Sequence, residues 1–306
     1  MKESTGQEAV DSVYLRAMAA AEAKVGKTVA LVLWSLGLLP DQKYGGLVSG
    51  PEYLHIISTD YGAITGAKHM MRKLGAPKEA FNFHVCSLQE DYQAIFTASE
   101  DWDASFYNAS QHAMRAIQDK VNKRPKGVHA VIVSSTTTWC AGIERGIAGP
   151  PIGGANDKKG SGMDESKWQA VYGQVNEFRN AVQRGPWHTI WESHIDKVVP
   201  FGRAEDQEPQ EKIQIRGRAG RDFPNNVEQV FRIRRNMGNT YEGHDEVDRM
   251  FLDTRPSMEF FAGGRGATEL LKPHEPDLVR AAHKLGMRVG GWGAKESFGK
   301  KNKDKS

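Results

Sequence analysis

Residues Ala21-Glu22-Ala23-Lys24-Val25-Gly26-Lys27-Thr28 end in a glycine, a lysine and a hydroxyl residue in direct succession. In the pattern GxxxxGK[ST], backbone N–H groups wrap a string of phosphates, the lysine neutralises them and the hydroxyl holds a metal ion. Ala21 replaces the first glycine, which fits if that residue avoids positive φ. A bare Gly-Lys-Thr also occurs in ordinary loops ahead of core helices, so its surroundings must separate the two readings.

Those surroundings favour the phosphate loop. A strand is expected over residues 13–19, and from Lys27 through Val29 to Leu36 nearly every side chain is apolar, as in a buried helix, with Gly37 and Pro40 as its stop. A helix N-terminus directly after the loop adds partial positive charge where phosphate would sit. Strand and helix candidates then alternate. Strands are expected at 54–59, 81–88, 128–134 and 187–194, with helices at 65–74, from Trp102 to Val121, and after Asp164, which can cap a stripe of Trp168, Val171, Val175, Phe178 and Val182. Gly185 and Pro186 end that stripe.

This order predicts an α/β protein, a mainly parallel sheet flanked by helices, because parallel strands need crossovers and those are usually helices. Beyond residue 212 the pattern shifts to short strands at 213–218, 230–234 and 250–253 between turns, read as an antiparallel C-terminal edge. Residues 1–12 are expected to be a loose arm, 13–285 one nucleotide-binding domain whose part 212–285 is rich in strands, and 286–306 a frayed basic tail. Residues 141–163 hold so many Gly and Pro that a long loop is expected there.

Composition sets outer bounds. With 39% hydrophobic and 26% charged residues the chain is globular, and its net charge of +3 is too mild to require a polyanion partner. The two cysteines, Cys86 and Cys140, have no zinc or disulfide spacing and suit a reducing compartment, the cytoplasm, or the host cytoplasm if the protein is viral. The longest apolar stretch, 28–39, falls short of the roughly 20 residues a membrane helix needs.

With Lys24-Val25-Gly26-Lys27-Thr28 and the strands Ile56-Ile57-Ser58-Thr59-Asp60, Val131-Ile132-Val133-Ser134-Ser135-Thr136 and Thr189-Ile190-Trp191-Glu192-Ser193-His194, the chain resembles the RecA-like P-loop ATPases. It is most similar to the phage-type group of AAA-domain and single-strand-annealing recombination ATPases. The resemblance implies ATP and Mg²⁺ as ligands, with Lys27 on the β/γ-phosphates, Thr28 on the metal, and Asp60 as the base that polarises the attacking water. The family's metal-supporting aspartate falls at Ser134, whose hydroxyl can order a metal-bound water but brings no charge, which puts hydrolysis in question. Glu192 and His194 end the strand that in the family senses the γ-phosphate. Asp60 also reads as a strand-end turn cap, and His194 as a hydrogen-bonded core histidine.

The same resemblance puts single-stranded DNA on two loops, 141–163 with Lys158 and Lys159 and 195–210 with Lys197 and Arg203. It also implies a homo-oligomer, a ring or filament, in which Arg218, Arg221 or Arg265 could complete a neighbour's site. Each of these arginines also reads as a solvated turn. Two functions therefore stand side by side: a recombination or replication ATPase acting on single-stranded DNA, and a nucleotide-binding structural module that oligomerises without turnover.

Overall fold

The computed structural model describes residues 14–22, 26–35, 53–59, 63–73, 84–88, 105–148, 163–198, 210–215, 222–235, 250–253 and 263–264. The expected arm and tail lie outside these residues, as do Asp60, Lys158, Lys159, Arg203, Arg218, Arg221, Arg265 and the loop residues Ala23, Lys24 and Val25.

The chain alternates strand and helix: β1 (Arg16–Ala21), α1 (Lys27–Ser35), β2 (Tyr53–Ser58), α2 (Ala63–Lys73), β3 (His84–Ser87), α3 (Ser105–Lys123), β4 (His129–Ser134), α4 (Thr136–Ala148), α5 (Glu165–Arg184) and β5 (His188–Val198). The short strands β6 (Gln210–Ile213), β7 (Gln229–Arg235), β8 (Met250–Asp253) and β9 (Gly263–Gly264) follow. They form one sheet in the order β3-β2-β4-β5-β1-β7-β8, with β6 on β5 and β9 on β7. Every pairing from β3 to β7 along this path is parallel, so the protein is α/β with a mainly parallel sheet.

A parallel strand covered on both faces reads as a continuous apolar run, and β4, His-Ala-Val-Ile-Val-Ser, is buried at every position. The main core lies on one face of the sheet. There Met18, Ile57, Val131, Val133 and Trp191 meet Ala113, Ile117 and Val121 of α3, Trp139 of α4 and Val175, Phe178 and Val182 of α5. The Trp139 ring stacks on Phe178 at 4.7 Å, and its Nε1 donates to Ser110 Oγ at 2.8 Å.

Three expectations change. Residues 141–148, assigned to a loop for their glycines, continue α4; Gly146 is buried there and Ile143 packs into the core, so burial outweighs a local propensity cost of about 1 kcal/mol per glycine. The rest of that loop, 149–162, is outside the described residues. The supposed loop at 195–210 begins as strand, since β5 runs on to Val198 and pairs antiparallel with β6. Because β6 turns the chain back, β7 again follows the sheet direction and joins β1 in parallel; the antiparallel edge consists of β8 and β9.

Asp164 caps α5 as its side chain accepts from Lys167 N at 2.8 Å. Gly185 ends that helix in extended backbone, φ −71° and ψ 159°, and the position needs glycine for a steric reason. A Cβ there would lie 1.9 Å from the Trp187 ring, whose Nε1 donates to Val182 O at 2.7 Å. Cys86 and Cys140 are buried thiols not joined in a disulfide, and burial pushes the Cys140 thiol up, with Glu144 adding to the effect.

Candidate functional site

At the end of β1, Ala21 is the last strand residue and fully buried, so the position where the pattern has its first glycine is extended backbone that alanine adopts without strain. The left-handed conformation falls on Gly26, at φ 82°. Lys27 and Thr28 follow as the first two residues of α1. Their backbone N–H groups are among the first four of the helix, which have no partner within it. A strand end, a left-handed glycine and a helix N-terminus thus come in chain order, and the N–H groups of such a helix start can face an anion.

Sheet pairing brings the other members in. Parallel register sets Ala19 beside Glu192 and Ala21 beside His194, while Ser58 lies beside Ser134. Because β5 runs between β1 and β4, Glu192 and Ser134 both reach Thr28. Thr28 Oγ1 donates to Glu192 Oε2 at 2.7 Å and lies 3.3 Å from Ser134 Oγ. Glu192 Oε1 is 3.5 Å from Lys27 Nζ, with both side chains almost fully buried. A carboxylate taken out of water is costly unless paired and hydrogen-bonded, and Glu192 is both.

Two threonines that sequence reasoning left without a role brace this cluster. Thr59 N donates to Ser134 O at 2.6 Å, its Oγ1 donates to the same oxygen at 3.2 Å, and Ser135 N donates to Thr59 Oγ1 at 2.8 Å. Thr137, in the first turn of α4, has its Oγ1 2.9 Å from Ser193 Oγ and accepts from His194 N at 2.9 Å. The Ser134–Ser135 peptide between them is cis. The only sequence signal for this bracing is the run of five hydroxyl residues, 134–138, directly after an apolar strand.

The residues fit a hard divalent cation. Mg²⁺ takes oxygen ligands, usually one or two protein groups completed by water and substrate phosphate, and Thr28, Ser134 and Glu192 offer oxygens side by side. Among the described residues no group of three or more His, Cys, Asp or Glu could hold a metal by itself. Lys27 balances the single charge of Glu192, so a polyanion at the loop would bring negative charge that a divalent cation could offset.

No protein-family model matches the chain, and no curated protein does. Among solved structures, it is similar to a prototypical ATPase from the type III secretion system of pathogenic bacteria. That match has 10% identity and a TM-score of 0.39, over 76% of this chain and 56% of that one. The chain thus spans little more than half of that protein, and a likeness of this degree assigns no activity.

Of the residues expected at the site, the structure brings together Lys27, Thr28, Ser134 and Glu192, with Ala21, Glu22 and Gly26 leading into them and Val29 following on α1. His194 stands one strand over from Ala21 and is half-buried. Lys197 is carried on β5 beyond it, its backbone paired with Glu211. No described helix is long and apolar enough to cross a membrane.

Proposed function

We propose that this chain is a Mg²⁺-dependent, ATP-binding protein of RecA-like type that hydrolyses the nucleotide held on residues 21–28. The observation that carries the reading is the meeting of Lys27, Thr28, Ser134 and Glu192 at the start of a helix that follows a left-handed glycine. Lys27 moves its charge from Glu192 to the β/γ-phosphates when nucleotide enters, a short displacement for a flexible side chain. Bound Mg²⁺ would neutralise phosphate charge, with Thr28 and Ser134 to hold it and the Glu192 carboxylate to reach it directly or through a water.

Glu192 supplies the negative charge that Ser134 lacks. Its carboxylate, one strand from Ser134 and hydrogen-bonded to Thr28, would orient a water toward the terminal phosphate and take its proton as the new P–O bond forms and the bond to the leaving diphosphate breaks. Asp60 is the second candidate base, following Thr59, which is bonded to Ser134. Replacing each acid by its amide separates them, since loss of turnover with retained ATP binding identifies the base.

The finer form of the proposal is action on single-stranded DNA during phage-type recombination or replication, as a ring or filament. It draws on the family resemblance and on one feature of the fold. The strand that carries Glu192 and His194 continues through Lys197 into the β5–β6 hairpin, so a DNA contact there and the nucleotide share one element. Turnover measured with and without single-stranded DNA tests it, and identical rates together with no DNA binding would exclude it. The non-hydrolysing structural module draws on the neutral Ser134; it predicts ATP binding with no phosphate release.

A further inference from the structure

The two oxygen groups that meet Thr28 come from different strands. Ser134 ends β4 and Glu192 lies near the middle of β5. Side chains on separate strands hold a sub-ångström arrangement only if the backbone beneath them is fixed, and each has a threonine from a neighbouring element doing this. Thr59, 2% exposed, grips Ser134 from the end of β2. Its hydroxyl donates to Ser134 O and accepts from Ser135 N, so the C=O and the N–H of the Ser134–Ser135 peptide are both held by one side chain. Thr137 grips β5 from the first turn of α4, where it accepts from His194 N and meets Ser193 Oγ, directly after Glu192.

Ser135 adds the link between the two. Its O accepts the Trp139 N–H at 2.9 Å, and its Oγ takes the Thr138 N–H at 3.4 Å, as an N-cap does. The segment 134–137 is thus bolted to β2 on one side and β5 on the other.

We propose that Thr59 and Thr137 are positioning residues for the divalent cation that accompanies nucleotide: they contact neither ligand, and they set the spacing of Ser134 and Glu192 around Thr28. The inference rests on the nucleotide reading above and deepens it. Partners of metal ligands are worth about 10–100-fold in metal affinity when removed. A purely structural threonine would instead lower stability and weaken nucleotide binding whether or not metal is present.

The test is binding of a fluorescent ATP analogue to the full chain, titrated with MgCl₂ and repeated in EDTA, with thermal unfolding alongside. Wild type is compared with Thr59→Val, Thr137→Val and the rescue variants Thr59→Ser and Thr137→Ser. Expected for the valine variants is a rise of about 10-fold or more in the Mg²⁺ concentration at half-saturation, with unchanged affinity in EDTA. Serine, which keeps the hydroxyl, restores the wild-type value. Valine variants that titrate Mg²⁺ as wild type does would overturn the inference, as would equal losses with and without metal, or a serine variant that behaves like valine. If a valine variant does not fold, the serine variant with a normal Mg²⁺ midpoint and a Thr59→Ala or Thr137→Ala variant with a raised one still decide the matter. Wild type that binds no nucleotide in either condition sinks the nucleotide reading itself, and the inference with it.

Discussion

At the residue scale, Glu192 is the pivot, because its carboxylate meets both the lysine and the hydroxyl of the loop. Glu192→Gln keeps the shape and loses the charge. Turnover should drop by roughly 10²–10⁴-fold, the range for a lost general base, while ATP affinity holds; steady-state phosphate release and equilibrium binding on the same preparation check it. A second residue-scale prediction concerns His55. His129 Nε2 lies 3.0 Å from Arg124 O and therefore donates to it, so His129 Nδ1 accepts from His55 Nε2 at 3.1 Å, and His55 Nδ1, the unprotonated nitrogen, is buried where an added proton would find no acceptor. Burial, with His129, His84 and Lys120 adding to it, lowers the His55 pKa to about 3. The unfolded chain binds this proton near pH 6.5 and the folded one does not, so stability falls as pH drops from 6.5 toward 3. The slope contributed is up to about 1.4 kcal/mol per pH unit. Urea midpoints measured across that window should fall for wild type and fall less steeply for His55→Phe.

The glycine-lysine-threonine core, the Ala21 substitution and the strand-loop-helix order were legible because they are local. The contact between Thr28 and Glu192 was not, since it spans 164 residues and depends on β5 lying between β1 and β4. Glu192, expected at a strand end, lies within β5 with its carboxylate on the Thr28 hydroxyl and the Lys27 ammonium.

At the scale of elements, the helix ends were the clearest sequence signals. Asp164 caps α5 as its type and place predict, and Asp164→Ala should lower the denaturant midpoint in chemical unfolding. Gly185 is more demanding, because any side chain there meets the Trp187 ring. Gly185→Ala should cost about 1–3 kcal/mol through overpacking, and relieving the ring with Trp187→Leu in the same chain should return part of the loss, a coupling read by a double-mutant cycle. The glycines of α4 misled for the opposite reason. Local propensity disfavours helix there, and tertiary packing of Trp139 and Ile143 into the core overrides it.

For the whole molecule, the sheet order accounts for the site. Parallel strands alternate with helices, so the carboxyl ends of β1, β2, β4 and β5 open on one edge, the place where ligands bind in open α/β sheets. A ligand that binds only the folded chain must stabilise it, by about 2.7 kcal/mol at a concentration 100 times its Kd. The central claim is that Mg²⁺-ATP occupies the loop at Lys27 and Thr28. Calorimetric titration of Mg²⁺-ATP into wild type and Lys27→Ala, each shown to be folded by circular dichroism, tests it most directly. Saturable binding by wild type that is lost or weakened at least about tenfold in Lys27→Ala is the predicted result, a difference of roughly 1.4 kcal/mol or more. Equal affinity of the two proteins for ATP, or no heat with wild type, would contradict the account.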